Sequence, residues 1–532
     1  MAELADEYDY IVVGGGSAGC AVASRLSEVA SNRVLLVEAG GPDRNVLFHW
    51  PAGFAKMTKG IASWGYTTAP QRHMQDRVFW YTQAKVLGGG STINAQIYTR
   101  GHRKDFDGWA AQGCSGWDYD SIVKYFRATE DNDTFADEHH GRGGPIGVAQ
   151  PKAQLPVMEA FIRAAGEIGI PRCNDLAGPE PAGMGLYQVT QRKARRSSAA
   201  TGYVRPALSR KNFTLALNTL TTRLVVEQGR CIGIEVADAG RLRAIRATAE
   251  VIVSSGAVGS PKLLMLSGIG PAQHLKEVGV NVVHDLPGVG GNFQDHLDIW
   301  AIAECTGDHS FDKYGKPWWA AVAGLRYLLT RDGPVASSLF NSGGFWYADT
   351  HATHPDVQFH LGLGSGIEAG VAALKNPGIT LNAVLLRPRS RGTVRLRSAN
   401  PEDAPVIDPN FWSDPYDREY TMRAFDISRE ILRQKALKPF ILAERVPGPE
   451  VTGKNALFDY ACARTKTDHH PVGTCAMGVT ADSVVTPDLK LRGIEGLRVA
   501  DNSIQPTLIS SNTNAAAMMI GEKCAAMVLG KD

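Results

Sequence analysis

The N-terminal end of the chain predicts a strand, a glycine-rich turn, a helix and a second strand. Residues 8–13 form an apolar run, and Gly14, Gly16 and Gly19 follow with the spacing GxGxxG. In such a βαβ unit the first glycine permits a tight turn and the second lets the backbone approach a pyrophosphate. The third allows the helix to pack closely on the strand. The pattern therefore favours a dinucleotide-binding unit over a simple turn.

Two further features of this unit concern the ligand. Its phosphates would lie at the N-terminus of the predicted helix, where free N–H groups and the helix dipole favour negative charge. Glu38 ends the second apolar run, about 20 residues further on, where an acid accepts hydrogen bonds from a ribose 2′-hydroxyl. A 2′-phosphate is disfavoured at such a position.

The length and composition indicate a globular protein with more than one domain. A chain of 532 residues exceeds one typical core, while 44% hydrophobic and 21% charged residues are ordinary for this class. The formal net charge of +2 gives no reason to expect nucleic acid as a partner. The glycine motif begins within about ten residues of Met1, so we expect no secretory signal. No run reaches the ~18 apolar residues of a membrane helix, so we expect no transmembrane segment.

The eight cysteines are scattered and form no CxxC pair or regular spacing. This pattern predicts reduced thiols and no metal site, as is usual in the cytoplasm. We therefore expect a cytoplasmic protein and leave peripheral association with a membrane open. The oligomeric state stays open as well.

The α/β pattern returns twice later in the chain. An apolar run at residues 251–253 leads into small residues and Pro261, which is expected at the first position of a helix. The run 497–501 is a second strand that ends in an acid, and Asn514 lies near the start of a final helix. Residues 300–465 instead contain alternating strand-like runs. Such runs are expected in a sheet that bears a substrate pocket.

Four blocks of sequence carry a resemblance to a known family. They are the N-terminal motif, residues 84–107 with a triple glycine before Asn94, residues 256–270, and a C-terminal pair formed by residues 470–474 and 512–514. The chain thereby resembles the glucose–methanol–choline (GMC) oxidoreductases, FAD enzymes that oxidise alcohols. The similarity covers essentially the whole chain and is greatest toward the L-sorbose, polyethylene glycol and choline dehydrogenase branch.

The resemblance implies an α/β fold with a Rossmann-like FAD-binding domain of GMC type. This domain would be interleaved with an α+β substrate domain built on an antiparallel sheet. The FAD-binding domain is expected to comprise residues 1–40, 85–150, 207–300 and 466–532. The substrate domain is expected to comprise residues 41–84, 151–206 and 301–465.

The resemblance also assigns the cofactor-binding residues. Asn94 would lie against the isoalloxazine, Asp501 and Asn502 near the pyrophosphate or ribityl chain, and Thr221 at the adenine. Some relatives attach FAD through a histidine at the position of Ile93, and an isoleucine cannot form that bond, so we expect non-covalent FAD. The complete predicted set is Gly14, Gly16, Ser17, Ala18, Gly19, Glu38, Ala39, Leu87, Gly89, Gly90, Asn94, Ala95, Thr221, Ala257, His469, Asp501, Asn502 and Thr513.

Two residues are expected to carry the chemistry. His470 matches the catalytic histidine of the family, and Asn514 is assigned as the hydrogen-bonding partner that orients and stabilises an alkoxide. A neutral histidine suits a base, since its ordinary pKa of about 6.5 falls further on burial. His469 stands where relatives usually carry an aromatic residue, and we assign it to packing against the flavin.

The reaction expected from this set is oxidation of a primary alcohol to an aldehyde. Electrons would pass to a quinone-like or other acceptor that is not oxygen. Three alternatives stay open: an alcohol oxidase that uses O2, an FAD-containing lyase without redox turnover, and a flavin- or NAD-binding protein without catalysis. Polyether alcohols, sorbose-like polyols and simple alkanols all remain candidate substrates.

Overall fold

A computed structural model describes residues 4–58, 60–238, 241–368 and 370–532 of the chain. Two large sheets dominate it, with helices packed against both. The α/β class predicted from the sequence is confirmed. Among the described residues, no helix is both long enough and apolar enough to cross a lipid bilayer.

The first sheet has a parallel part and an antiparallel part. Its order is β4-β2-β1-β7-β6-β5, and β14 also pairs with β7. The contacts among β1, β2, β4, β7 and β14 are parallel, whereas β5, β6 and β7 form an antiparallel meander. These strands are β1 (Glu7–Val13), β2 (Val34–Val37), β4 (Phe213–Ala216), β5 (Leu220–Glu227), β6 (Arg230–Asp238), β7 (Arg241–Val253) and β14 (Leu497–Val499).

The second sheet is antiparallel throughout, as predicted for the substrate half. Its order is β12-β8-β11-β10-β9-β3, and β13 pairs with β8 as well. These strands are β3 (Gly183–Leu186), β8 (Leu297–Cys305), β9 (Ser342–Trp346), β10 (Val357–Gly362), β11 (Gly378–Leu385), β12 (Ile441–Val446) and β13 (Lys466–Thr467).

Nine helices of nine or more residues lie in the described part of the chain. They are α1 (Ser17–Leu26), α2 (Arg103–Ala111), α3 (Tyr119–Thr129), α4 (Pro156–Glu167), α5 (Gly256–Leu266), α6 (Pro317–Thr330), α7 (Pro415–Leu432), α8 (Lys454–Arg464) and α9 (Asn514–Val528). Shorter helical turns include Phe54–Met57, Gly90–Ile93, Arg205–Ala207 and Ala272–Glu277.

The register of the first sheet brings three strand ends to one level. Val13 at the end of β1 pairs with Val37 at the end of β2 and with Val253 at the end of β7. All three side chains are buried, as expected for a parallel sheet covered on both faces. In open α/β sheets ligands bind outside the carboxyl ends of the strands, so this edge is where a nucleotide is expected.

Each sheet belongs to its own hydrophobic core. One core is built on β1, β2 and β7 together with α1 and α9, and the other on β8, β10 and β11 together with α4 and α7. The strand β8 crosses the domain boundary predicted at residue 300. The strand β13, which is expected in the FAD-binding domain, pairs with β8 in the second sheet. The boundaries between the two domains therefore stay a prediction from the sequence.

Pro261 lies inside α5, whereas the sequence predicts it at the first position of the helix. The helix begins at Gly256, five residues earlier. A proline has no N–H to donate to the carbonyl four residues before it, here that of Ala257. The hydroxyl of Thr474 donates to this carbonyl over 2.6 Å instead. A side chain more than 200 residues away thus allows the helix to continue through the proline.

Candidate active site

A cavity of about 340 Å³ opens at the carboxyl ends of β1, β2 and β7. Val13, Val37 and Ser254 line it at these strand ends, and the side chain of His470 lines it as well. The volume falls within the range of about 300–1,000 Å³ that is usual for small-molecule sites. One continuous space therefore joins the predicted nucleotide motif to the predicted catalytic histidine.

The glycines of the first motif form a cradle that larger residues would fill. Gly14 has φ +104°, and a Cβ there would lie 2.5 Å from the carbonyl oxygen of Ser254. A Cβ at Gly19 would collide with the carbonyl oxygen of Gly14, so the third glycine allows α1 to pack on β1. Gly89 has φ +52°, and its Cβ would lie 2.7 Å from Cα of Gly16. Two glycine-rich segments thus meet backbone to backbone at the cavity.

Glu38 lines the cavity and is held there by two backbone N–H groups. Its Oε2 accepts a hydrogen bond from the N–H of Gly15 over 2.8 Å, and its Oε1 accepts one from Gly40 over 2.6 Å. Burial raises the pKa of Glu38 to about 7, although both hydrogen bonds favour the charged form. Each carboxylate oxygen has a second lone pair that a ligand hydroxyl could use. At the same cavity, the buried hydroxyl of Thr221 has no partner among the described residues.

Two helix N-termini converge on the middle of the cavity. Ser17, the first residue of α1, donates from Oγ to Oδ1 of Asn514, the first residue of α9, over 2.7 Å. Beside them, Oδ2 of Asp501 accepts from the N–H of Gly256 and from Oγ of Ser260. Helix N-termini attract negative charge, so this arrangement suits a pyrophosphate.

The backbone of His469 and His470 is fixed by a buried aspartate. Oδ1 of Asp295 accepts a hydrogen bond from the N–H of His470 over 2.7 Å, and its Oδ2 accepts from the hydroxyls of Tyr81 and Thr467. Thr467 in turn accepts from the N–H of His469, whose φ is +60°. Asp295, in the loop that precedes β8, therefore sets the direction in which the side chain of His470 points.

The imidazole of His296 determines which nitrogen of His470 carries the proton. Nε2 of His296 lies 2.9 Å from the carbonyl oxygen of Leu386, which only accepts hydrogen bonds, so this nitrogen is protonated. Nδ1 of a neutral His296 is then an acceptor, and Nδ1 of His470 lies 3.0 Å from it. His470 accordingly donates through Nδ1 and keeps a lone pair on Nε2.

The surroundings of His470 keep its imidazole neutral. Burial lowers its pKa below the ordinary value, and the positive charge of Lys466 acts in the same direction, while Asp468 opposes both. The pKa of His296 falls to about 3, because this ring is buried and faces His470. Both rings are thus uncharged near neutral pH, and His470 can act as a base.

The amide that faces His470 belongs to Asn512, whereas the sequence had paired His470 with Asn514. Oδ1 of Asn512 accepts from Nε2 of Gln358 over 2.9 Å and from Oγ1 of Thr99 over 3.1 Å. These two donors fix the amide so that its Nδ2 lies 3.4 Å from Nε2 of His470. The structure does not bring Asn514 to His470, because the side chain of Asn514 is bound to Ser17.

Charged side chains also lie at the same end of the cavity. Nζ of Lys466 lies 2.6 Å from Oδ2 of Asp298, 3.2 Å from Oε2 of Glu368 and 3.5 Å from Oδ1 of Asp468. Burial raises the pKa of Asp298 to about 8, whereas Lys466 and His470 hold that of Asp468 below its usual range. Glu368 and Asp468 line the cavity, and burial raises the pKa of Glu368 although Lys466 opposes this.

The structure gathers nearly all of the predicted residues at this one cavity. Gly19 and Leu87 stand behind its wall, where Gly19 packs on Gly14 and Leu87 packs on Gly15. The predicted residues that line the cavity are Gly14, Gly16, Ser17, Ala18, Glu38, Ala39, Gly89, Gly90, Asn94, Ala95, Thr221, Ala257, His469, His470, Asp501, Asn502, Thr513 and Asn514.

The sequence did not assign a role to several residues of this site. Asp295 and His296 follow a glycine-rich turn at residues 288–291, but no local pattern links them to His470, which lies 174 positions after His296. Asn512 lies two residues before the predicted asparagine. Glu368 and Asp468 carry no local pattern at all. Only the fold brings these groups together.

The glycine cradle at the strand ends of a parallel sheet and the cavity beside it define a dinucleotide-binding protein. The sequence profile of the GMC oxidoreductases matches residues 8–298 in its N-terminal part and residues 388–521 in its C-terminal part. The chain belongs to this family. Members of the family bind FAD, and this chain is an oxidoreductase of that family.

Similar proteins align over almost the whole chain. Human mitochondrial choline dehydrogenase is 38% identical over 99% of this chain and 91% of its own length. An alcohol dehydrogenase [acceptor] from Pseudomonas putida is 38% identical over 98% of this chain and 96% of its own length. Among solved structures, a formate oxidase variant from Aspergillus oryzae, studied for its FAD modification, has a TM-score of 0.93 at 28% identity. That alignment covers 100% of this chain and 99% of the oxidase.

Proposed function

We propose that this protein is an FAD-dependent dehydrogenase that converts a primary alcohol to an aldehyde and passes the electrons to an acceptor other than oxygen. One observation carries the proposal. Nε2 of His470, with its lone pair, and the N–H of Asn512 lie side by side at the cavity that the dinucleotide motif also lines. A base and a hydrogen-bond donor at one point are what oxidation of an alcohol requires.

The residues at the cavity fit FAD in several respects. Glu38 would bind the ribose of the adenosine, the N-termini of α1 and α9 would bind the pyrophosphate, and Asn94 would lie against the isoalloxazine. Oδ1 of Asn94 accepts from Arg196 over 2.7 Å, which leaves its N–H groups for a ligand. FAD, when bound, would accept a hydride from the alcohol carbon.

His470 would take the proton of the alcohol. Its Nε2 is the free nitrogen, and its lowered pKa keeps it unprotonated at neutral pH. Once the proton has moved, the imidazolium would be stabilised by the hydrogen bond from Nδ1 to His296 and by Asp468, whose Oδ2 lies 3.6 Å from Nδ1. The developing alkoxide pushes electrons toward the C–H bond, so proton removal assists loss of the hydride.

Asn512, and not Asn514, would stabilise the alkoxide oxygen. Its Nδ2 already points to the place where His470 would receive the proton, and its Oδ1 is occupied by Gln358 and Thr99. A donor that is held before the reaction needs no reorganisation when charge develops. Asn514, which is hydrogen-bonded to Ser17 at the start of α1, would instead lie near the pyrophosphate.

We further propose that the flavin is not covalently attached, since Ile93 at the cavity offers no nucleophile. His469 would pack against the flavin. It is half-buried, its ring lies edge-on to Tyr81 with a centroid distance of 5.9 Å, and its pKa is lowered to about 3 by desolvation and by Lys466. An uncharged ring of this kind suits contact with an aromatic ligand.

Anaerobic mixing of the FAD-loaded protein with a panel of alcohols tests the proposed reaction. The panel should contain simple alkanols, polyether alcohols, sorbose-like polyols and choline. Bleaching of the flavin by at least one of them, followed by faster reoxidation with a soluble quinone than with air, is the expected result. Faster reoxidation with air would identify an oxidase, and a yellow protein that no alcohol bleaches would leave the lyase alternative.

A further inference from the structure

An apolar helix surface lies on the outside of the molecule. Helix α6 buries only Ala323, Gly324 and Tyr327, although it is 14 residues long. Trp318 is 74% exposed, Leu325 60% and Leu329 76%. We call the exposed large side chains of this helix the α6 face; they are Trp318, Trp319, Val322, Leu325, Leu328 and Leu329.

The members of the α6 face form a continuous stripe. Trp318, Val322, Leu325 and Leu329 are spaced by four, three and four residues, which places them on one side of a helix. The buried side of the helix rests on Trp50, whose ring centroid lies 5.5 Å from that of Tyr327. Single exposed apolar residues are common, but a patch of this extent marks a contact with a partner or a membrane.

Cationic side chains stand at both ends of the α6 face. Lys316 and Arg331 stand at the two ends of the helix, and Nζ of Lys313 lies 5.4 Å from the ring of Trp319. The basic run at residues 192–196 lies beneath the buried side of the helix, where the carbonyl of Ala194 accepts a hydrogen bond from the hydroxyl of Tyr327 over 2.7 Å. Ala194 sits in the tight turn of a short hairpin, between the exposed residues Lys193 and Arg195.

Three of the cations near this helix are neutralised. Lys313 is paired with Asp308, Arg326 with Asp332, and Arg192 with Asp131. Within the described residues, Lys193, Arg195, Lys316 and Arg331 form no ion pair. The face therefore combines apolar and aromatic side chains with a net positive border, although the whole chain has a formal charge of only +2.

We propose that the α6 face binds peripherally to a membrane that contains anionic lipids. Tryptophan favours the boundary between headgroups and acyl chains, and a helix with an apolar side and basic flanks lies in the plane of that boundary. Anionic headgroups would meet the cationic border. This inference does not depend on the proposed reaction.

The charge of the border disfavours a second copy of this chain as the partner. A two-fold symmetric contact brings the same patch of both copies together, so the cations of one border would face those of the other. Like charges opposed across an interface weaken association. An anionic bilayer presents the opposite charge over the whole area.

The α6 face is also connected to the cavity by two short segments. The chain passes from Trp50, beneath the helix, through Pro51–Gly53 to Phe54, which lines the cavity. After the helix it passes through Pro334–Ala336 to Phe340, which also lines the cavity and contacts Phe54 at a ring distance of 5.9 Å. A membrane bound at α6 would therefore lie next to the segments that form one end of the site.

Flotation with lipid vesicles tests the proposal. The FAD-loaded protein is mixed with vesicles of phosphatidylcholine alone or of phosphatidylcholine with phosphatidylglycerol. We expect flotation with the anionic vesicles, weaker flotation at high salt, and little with the neutral ones. The variant Trp318→Ser/Leu325→Ser/Leu329→Ser should bind the anionic vesicles roughly tenfold more weakly. Leu442→Ser, a position that is 60% exposed on β12, is the matched control and should float like the unchanged protein.

Two further measurements separate the possible outcomes. Brominated acyl chains should quench part of the tryptophan fluorescence of the unchanged protein, and Trp318→Phe should reduce that quenching without affecting the fold. Light scattering reports the oligomeric state. Equal flotation of the triple variant, or no flotation of the unchanged protein, would overturn the proposal. It would also be overturned by a dimer that the triple variant converts to monomers, since the face would then join two copies.

Discussion

Replacement of Asn512 by alanine tests the assignment of the alkoxide-stabilising group. Nδ2 of Asn512 lies 3.4 Å from the free nitrogen of His470 and would donate to the oxygen that becomes charged. Loss of one such donor typically lowers the rate by about 10²–10³-fold, which corresponds to about 2.7–4 kcal/mol of transition-state stabilisation. We expect Asn512→Ala to retain its flavin and to slow flavin reduction by that factor.

Asn514→Ala is the matched control, since it removes an amide two residues away. Oδ1 of Asn514 accepts one hydrogen bond from Ser17 at the start of α1. A single hydrogen bond contributes about 0.5–1.5 kcal/mol to stability or binding. We expect weaker binding of FAD by up to roughly tenfold and a nearly unchanged rate of reduction once FAD saturates the protein.

Stopped-flow absorbance under anaerobic conditions measures flavin reduction, and titration of the apoprotein with FAD measures cofactor binding. The reasoning is refuted if Asn514→Ala slows reduction by more than 10²-fold while Asn512→Ala reduces its flavin at the unchanged rate. That result would restore Asn514 as the partner of His470.

Three other predictions follow from the same site. Lys466→Met should lower the free energy of unfolding by about 3–5 kcal/mol, because it leaves the buried carboxylates of Asp298, Glu368 and Asp468 without their cation. A loss below about 1 kcal/mol in urea titrations would contradict this prediction. Burial lowers the pKa of His470, and the base is active only when unprotonated. The value of kcat/KM should therefore rise with pH below about pH 6.5 and level off above it. A rise above neutrality would count against His470. Denaturation followed by filtration should release free FAD from the chain, whereas flavin retained with the denatured protein would disprove a dissociable cofactor.

The parts of the fold that follow local rules could be predicted from the sequence. The turn at Gly14, the packing of Gly19 and the position of Glu38 depend on residues close in sequence, and the structure places all three as expected. The antiparallel character of the second sheet was expected from the family resemblance, and the pairing of its strands confirms it. Local spacing and chain direction are sufficient for such features.

The choice between Asn512 and Asn514 could not be made in this way. It depends on the residue at which α9 begins, and sequence patterns locate a helix end only to within about one or two residues. In the structure the helix begins at Asn514, which directs this side chain to Ser17 and leaves Asn512 in the preceding loop beside His470. The asparagine expected from the sequence thus lies two residues from the amide that faces His470.

The supporting groups could not be predicted because their contacts join distant parts of the chain. Asp298 and Lys466 become neighbours through the pairing of β8 with β13, where they are directly opposite. His296 meets His470 only because Asp295 holds the backbone of residue 470. Neither strand pairing nor this hydrogen bond leaves a pattern in the sequence.

The central claim is that His470 removes the proton of the alcohol at a flavin held by the N-terminal motif. The most direct test compares His470→Ala with His469→Ala in anaerobic stopped flow, after absorbance has confirmed that both variants hold FAD. A positioned base contributes about 10²–10⁴-fold, so His470→Ala should slow flavin bleaching by this factor while His469→Ala stays close to the unchanged protein. Rapid bleaching in His470→Ala together with a slow reaction in His469→Ala would contradict the account.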